Sequence, residues 1–67
     1  MNKYQLIIDT VNGETYRCDP FECSEERFEE IEEQTMQADR PVVLVRIKGK
    51  SVRFQVNSIV CMWFEEV

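Results

Sequence analysis

Between Val42 and Val56 apolar and polar residues alternate on either side of Lys48-Gly49, which reads as a β-hairpin. Successive side chains of a strand point to opposite faces, so strict alternation marks a strand with one face buried. A two-residue loop at Lys48-Gly49 pairs Val45 with Val52 and Val43 with Phe54. Val43, Val45, Ile47, Val52, Phe54 and Val56 then line one face with no polar interruption, while Leu44, Arg46, Ser51, Arg53 and Gln55 take the other. The apolar face needs a cover, and the rest of the chain must supply it.

A second hairpin lies at the start. Tyr4 to Thr10 alternates and runs into Val11-Asn12-Gly13. A two-residue Asn12-Gly13 loop would pair Ile7 with Cys18 and scatter apolar residues over both faces. A type I turn over Thr10–Gly13, with Gly13 as a left-handed bulge, pairs Leu6 with Cys18 and Ile8 with Tyr16. Tyr4, Leu6, Ile8, Tyr16 and Cys18 then share a face, and Asp9, Thr15 and Arg17 lie opposite. The bulged turn is chosen, because a slip of one residue would expose the whole apolar set.

Asp19-Pro20 ends the second strand, with Asp19 capping a turn that starts at Pro20 and Glu22 reaching back. Ser24 is a further N-cap, with Glu25 and Glu26 where the helix dipole favours them. A helix is expected from about Ser24 to Gln37, since Pro41 holds Arg40 extended. Its apolar stripe is narrow: Phe28, Ile31, Thr35 and Ala38, with Met36 at the edge. That is enough to cover one side of a sheet, namely the Val43, Val45, Val52 and Phe54 face.

The last strand, Ile59 to Phe64, is apolar on both faces. Ile59, Cys61 and Trp63 occupy one, and Val60, Met62 and Phe64 the other. The fold class expected is α+β, in the order β-β-α-β-β-β. It is a mainly antiparallel sheet with one helix packed on one face, in a single domain over residues 1–67.

A core this small rarely supplies more than about 3–5 kcal/mol, so extra support has to be sought. Three cysteines, Cys18, Cys23 and Cys61, are an odd number and argue against a disulfide framework. With no histidine and no C-x2-C knuckle, they fall short of the four ligands of a structural zinc site. Cys18 and Cys61 are expected at inward strand positions, as small apolar residues. No metal and no cofactor is expected. Neither a leader peptide nor a membrane span is recognisable from Met1 onward, so the chain is expected to be complete and cytoplasmic.

Catalysis has little to work with: no histidine, no Gly-rich phosphate loop, and no nucleophile beside a base. A core of this size is also expected to leave no room for a pocket of about 300 Å³. The expected class is therefore a non-catalytic binding protein, not an enzyme.

The net charge of −5 divides unevenly. Residues 1–39 carry three basic and eleven acidic side chains, a sum of −8, and residues 40–67 carry five and two, a sum of +3. Glu22/Glu26, Glu25/Glu29, Glu26/Glu30 and Glu29/Glu33 are like-charge pairs four residues apart, costing the helix about 1–2 kcal/mol together. Solubility alone accounts for such a face. The functional reading is an acidic docking surface formed by Glu25, Glu26, Glu29, Glu30 and Glu33, steering a basic partner.

The second candidate is the sheet face expected opposite the helix, where Ile7, Leu44, Met62 and Phe64 would lie beside Arg17, Arg46 and Arg53. Arginine among aromatic and methionine side chains is the composition of an interface core. Arg46, Arg53, Met62 and Phe64 are taken as its site residues. The alternative is a site for nucleic acid or a small anionic nucleotide-like ligand through Arg46, Lys48, Lys50 and Arg53. Edge protection by lysine explains Lys48 and Lys50 equally well, but leaves Met62 and Phe64 unexplained. Self-association would bury the second face of the last strand and supply stability that a thin core lacks. The partners expected are a second copy, as a two-fold homodimer, and another protein.

Val11-Asn12-Gly13-Glu14, Ser24-Glu25-Glu26-Arg27-Phe28, Gly49-Lys50-Ser51-Val52 and Ile59-Val60 together give the chain a general resemblance to short accessory proteins of bacterial and phage genomes. That resemblance implies an accessory cytosolic role, such as acting on a host protein or sequestering a small anionic ligand.

Overall fold

A computed structural model describes residues 1–36 and 40–67. Its elements are β1 (Asn2–Thr10), β2 (Thr15–Arg17), β3 (Phe21–Cys23), α1 (Glu25–Thr35), β4 (Val42–Ile47), β5 (Lys50–Gln55) and β6 (Ile59–Glu66), with a 3-10 turn over Val56–Ser58. This is a small α+β domain with one helix and antiparallel sheets.

The central strand is β1. On one side it pairs with β2 through Ile8↔Tyr16 and with β3 through Tyr4↔Phe21; on the other it pairs with β6 through Leu6↔Phe64 and Ile8↔Met62. The first turn is the bulged one. Gly13 has φ +85°, its N–H donates to the Thr10 carbonyl at 3.0 Å, and the Thr10 N–H donates to the Glu14 carbonyl at 2.9 Å. A left-handed φ at this position is what lets the two strands leave in register.

β4 and β5 form the second hairpin in the expected register, Val45↔Val52 and Val43↔Phe54. Lys48 and Gly49 both have positive φ, 52° and 76°, as a type I′ turn requires. Val56 leaves the strand for the 3-10 turn and is 36% exposed.

Three expectations change. Pro20 opens no helical turn; Phe21–Cys23 instead resumes pairing with β1 as β3. The order is therefore β-β-β-α-β-β-β. Asp19 caps no helix: its carboxylate accepts from the Lys48 and Gly49 N–H groups at 2.7 and 2.8 Å, and its own N–H donates to the Arg46 carbonyl at 2.7 Å. The interruption between β2 and β3 at Asp19-Pro20 thus ties the second hairpin to the sheet.

The helix begins as expected, with the Ser24 hydroxyl accepting from the Arg27 N–H at 3.2 Å. It ends at Thr35, where the Met36 N–H donates to the Glu32 carbonyl. Gln37 and Ala38, assigned above to its last turn and stripe, lie outside the described residues.

The cover is also distributed differently. Val45, Ile47 and Phe54 pack directly on Leu6, Ile8 and Cys18, so the hairpin is itself the lid over the middle of the β1 sheet. The helix reaches the end of that same face through Phe28, which stacks on Tyr4 at 3.9 Å and meets Phe64 edge-on at 5.2 Å. Phe21 joins this cluster at 6.1 Å from both Tyr4 and Phe64.

Candidate functional site

The placement of β6 decides which surfaces are available for binding. Its register with β1 puts Met62 opposite Ile8 and Phe64 opposite Leu6, so both point inward and pack on the core. Trp63 and Cys61 face outward beside Ile7 and Asp9. Between Asp9 and Thr10 the register shifts, because Cys61 pairs with Asp9 while Ile59 pairs with Thr10. Val60 is thus a bulge residue, which returns Ile59 to the inner face and leaves Val60 itself 65% exposed. The division of β6 into Ile59/Cys61/Trp63 and Val60/Met62/Phe64 is corrected accordingly. Cys61 is exposed, and the buried thiols are Cys18 and Cys23.

Met62 and Phe64 therefore do not share a surface with Arg46 and Arg53. The two arginines stand on the outer side of the β4–β5 hairpin with Leu44, which is 67% exposed. Leu44 pairs with Arg53 and Arg46 with Ser51, so Arg46 and Arg53 are diagonal neighbours. Lys48 lies in the turn itself and Lys50 follows it. Among the described residues none of these four cations forms an ion pair.

On the helix, Glu25, Glu26, Glu29, Glu30 and Glu33 are all exposed. Among the described residues, Glu30 alone of these is shown with a cationic partner, Arg27 at 2.8 Å. Glu22 lies on β3, outside the helix, so three like-charge helical pairs remain from the four counted above.

On the outer face of β1, Ile7 lies beside Arg17 as expected, but sequence reasoning missed that Trp63 and Glu65 complete a cluster there. Ile7 is fully buried although it faces away from the lid. Its cross-strand neighbours are Arg17 and Trp63. Glu65 links them: it lies 3.7 Å from the Arg17 guanidinium and accepts from the Trp63 indole N–H at 3.3 Å. Nothing in the local pattern marks this group, because its members come from three strands. A further surface is the edge of β6. Among the described residues β6 pairs with no strand but β1, so one side of its backbone is open.

At Cys61 and Cys18 the surroundings disfavour the thiolate. The Cys61 thiol donates to the Asp9 carboxylate at 3.6 Å, and desolvation together with that carboxylate pushes its pKa up. Burial, aided by the charge of Asp19, pushes the Cys18 thiol up to about 11. Among the described residues no three Cys, Asp or Glu side chains gather as a metal site. The surface depressions are open. One of about 270 Å³ runs along Gln34, Thr35 and Arg40 to Leu44, and one of about 520 Å³ lies between Met1-Asn2 and Ser24–Glu26. The second exceeds the size expected for so small a core, but it is a groove at the surface. No helix among the described residues is long and apolar enough to cross a membrane.

Comparison with family models, curated proteins and solved structures finds no match to this chain.

Proposed function

We propose that this protein is a non-catalytic interaction module, an inhibitor or adaptor, that works as a homodimer. The observation that carries this reading is β6, an eight-residue strand that among the described residues is paired on one side only and that bears the exposed Trp63 and Val60. An open edge with exposed apolar side chains is a template for another chain. Each copy would keep two charged surfaces for a further partner, the glutamates Glu25, Glu26, Glu29, Glu30 and Glu33 and the hairpin cations Arg46 and Arg53. The raised thiol pKa values support a non-catalytic role, since a nucleophilic cysteine needs its thiolate stabilised. Sedimentation equilibrium at tens of micromolar tests the reading. A dimer mass is expected, and a monomer mass at that concentration would overturn it.

A second reading has its own observation: Arg46, Lys48, Lys50 and Arg53 carry no ion pair among the described residues. Such a hairpin suits an anionic ligand, nucleic acid or a nucleotide. Binding of a labelled single-stranded oligonucleotide should then weaken steeply with salt. It should also be lost on neutralising Arg46 and Arg53 together, and unchanged binding by that double variant would end this reading.

A further inference from the structure

We infer that two copies join edge to edge through β6, antiparallel about a two-fold axis at Trp63, so that Met62 of one chain lies opposite Phe64 of the other. This inference rests on the proposed self-association and specifies its geometry.

The backbone determines which groups are free to pair. The Val67 N–H donates to the Lys3 carbonyl at 2.8 Å, which makes the odd-numbered residues of β6 the ones turned toward β1. Groups alternate along an antiparallel strand, so the N–H and C=O of Met62, Phe64 and Glu66 point to the open edge. The bulge at Val60 interrupts the edge at its start and leaves 61–66 as the regular stretch. A two-fold axis perpendicular to the sheet keeps inner faces with inner faces. Facing residues must then share parity, which leaves three registers, centred on Met62, Trp63 or Phe64.

Charge and the bulge select among them. Centring on Met62 sets Phe64 against the bulged Val60 and forfeits its ladder bonds. Centring on Phe64 brings the two Glu65 side chains within two residues of each other, about 7 Å along the strand. That is inside the screening length of about 8–10 Å, and the pair would repel. Centring on Trp63 separates the Glu65 side chains by four residues, or about 14 Å. Glu65 and Glu66 then face the uncharged Cys61 and Val60 of the other chain. In this register Met62 and Phe64 exchange hydrogen bonds on both sides of the axis. The two Trp63 rings meet on the outer face as a non-hydrogen-bonded pair, where side chains approach most closely. Ile59 to Phe64 contains no charge and no proline, the devices that normally block such pairing.

The test is amide hydrogen exchange by NMR on the unmodified protein, at micromolar and at near-millimolar concentration, alongside its sedimentation mass. A dimer is expected, with exchange at Met62 and Phe64 slowed at least tenfold at the higher concentration. The amides of Trp63 and Glu65, already bonded to β1, should change far less. A dimer with no concentration-dependent protection at Met62 and Phe64 overturns the β6 geometry and leaves self-association standing. A monomer throughout overturns both.

Discussion

The Asp19 carboxylate accepts the Gly49 N–H at 2.8 Å across thirty residues of chain, and the neighbouring Lys48 N–H at 2.7 Å. One side chain thereby satisfies two turn donors and fastens the hairpin lid to the sheet below it. Hydrogen bonds to a charged group contribute about 1.5–3 kcal/mol each when buried and less at a surface like this one. Asp19→Ala should therefore lower unfolding stability by about 1–2 kcal/mol in urea titration. Asp19→Asn, which keeps one acceptor oxygen, should lose about half as much.

Phe28 is the helix's main anchor, through its stack on Tyr4. Full truncation of a buried phenylalanine costs about 3–5 kcal/mol, and Phe28 is only half-buried, so Phe28→Ala should cost about 2 kcal/mol. Because no residue of α1 is fully buried, the helix should loosen before the sheet does. Far-UV circular dichroism should show helical signal lost at lower urea than the sheet signal. A single coincident transition would count against that order.

Lys48 holds a left-handed conformation that an L-residue other than asparagine or glycine adopts at a cost of about 1 kcal/mol. Lys48→Asn would make the Asn-Gly turn favoured in hairpins and should raise stability by about 0.5–1 kcal/mol. Gly49→Ala should have the opposite sign. Open space surrounds its Cβ position, so the penalty would come from φ alone.

Glu29 faces Glu25 and Glu33 one turn away on either side. Glu29→Lys turns two repulsive pairs into attractive ones and should stabilise the domain by about 0.5–1 kcal/mol. If the acidic face serves a basic partner, the same change should weaken that complex. Higher thermal stability together with lower affinity would identify a surface retained for binding.

The thiols differ in exposure, and pH should reveal it. Cys61 alone should react with a disulfide reagent in the native protein, since Cys18 and Cys23 are buried. The Cys18 thiol ionises near 9 when unfolded and at about 11 in the fold. The unfolded chain therefore releases this proton first, so the contribution of Cys18 to stability is intact below about pH 9 and falls as pH rises toward 11. Cys18→Ala should flatten the alkaline limb of the stability profile while lowering its plateau.

The two hairpins, their registers and the Ser24 cap were legible in the residues alone. Each depends on a local rule: a period of two, a left-handed glycine, or a hydroxyl three residues before an amide. The charge division between acidic helix and basic hairpin was equally plain. Val60, Met62 and Trp63 were not. A strand that is apolar on both faces carries no internal sign of which face is inward, and its pairing register with β1 assigns one. The bulge at Val60 then reverses the parity for Ile59 alone. Asp19 was misread for a related reason, because a carboxylate before proline suits a helix cap locally, while its partners lie thirty residues away.

Strand periodicity, turn chemistry and charge were thus determined by the sequence itself, since each arises between residues close along the chain. Tertiary structure decided what covers what, through contacts that no local pattern encodes. It placed the hairpin as the lid, moved Met62 and Phe64 from a supposed interface into the core, and left the edge of β6 open. The two-sided apolar strand remains the feature on which the functional reading depends. Its available surface is an edge with the exposed Val60, Cys61 and Trp63.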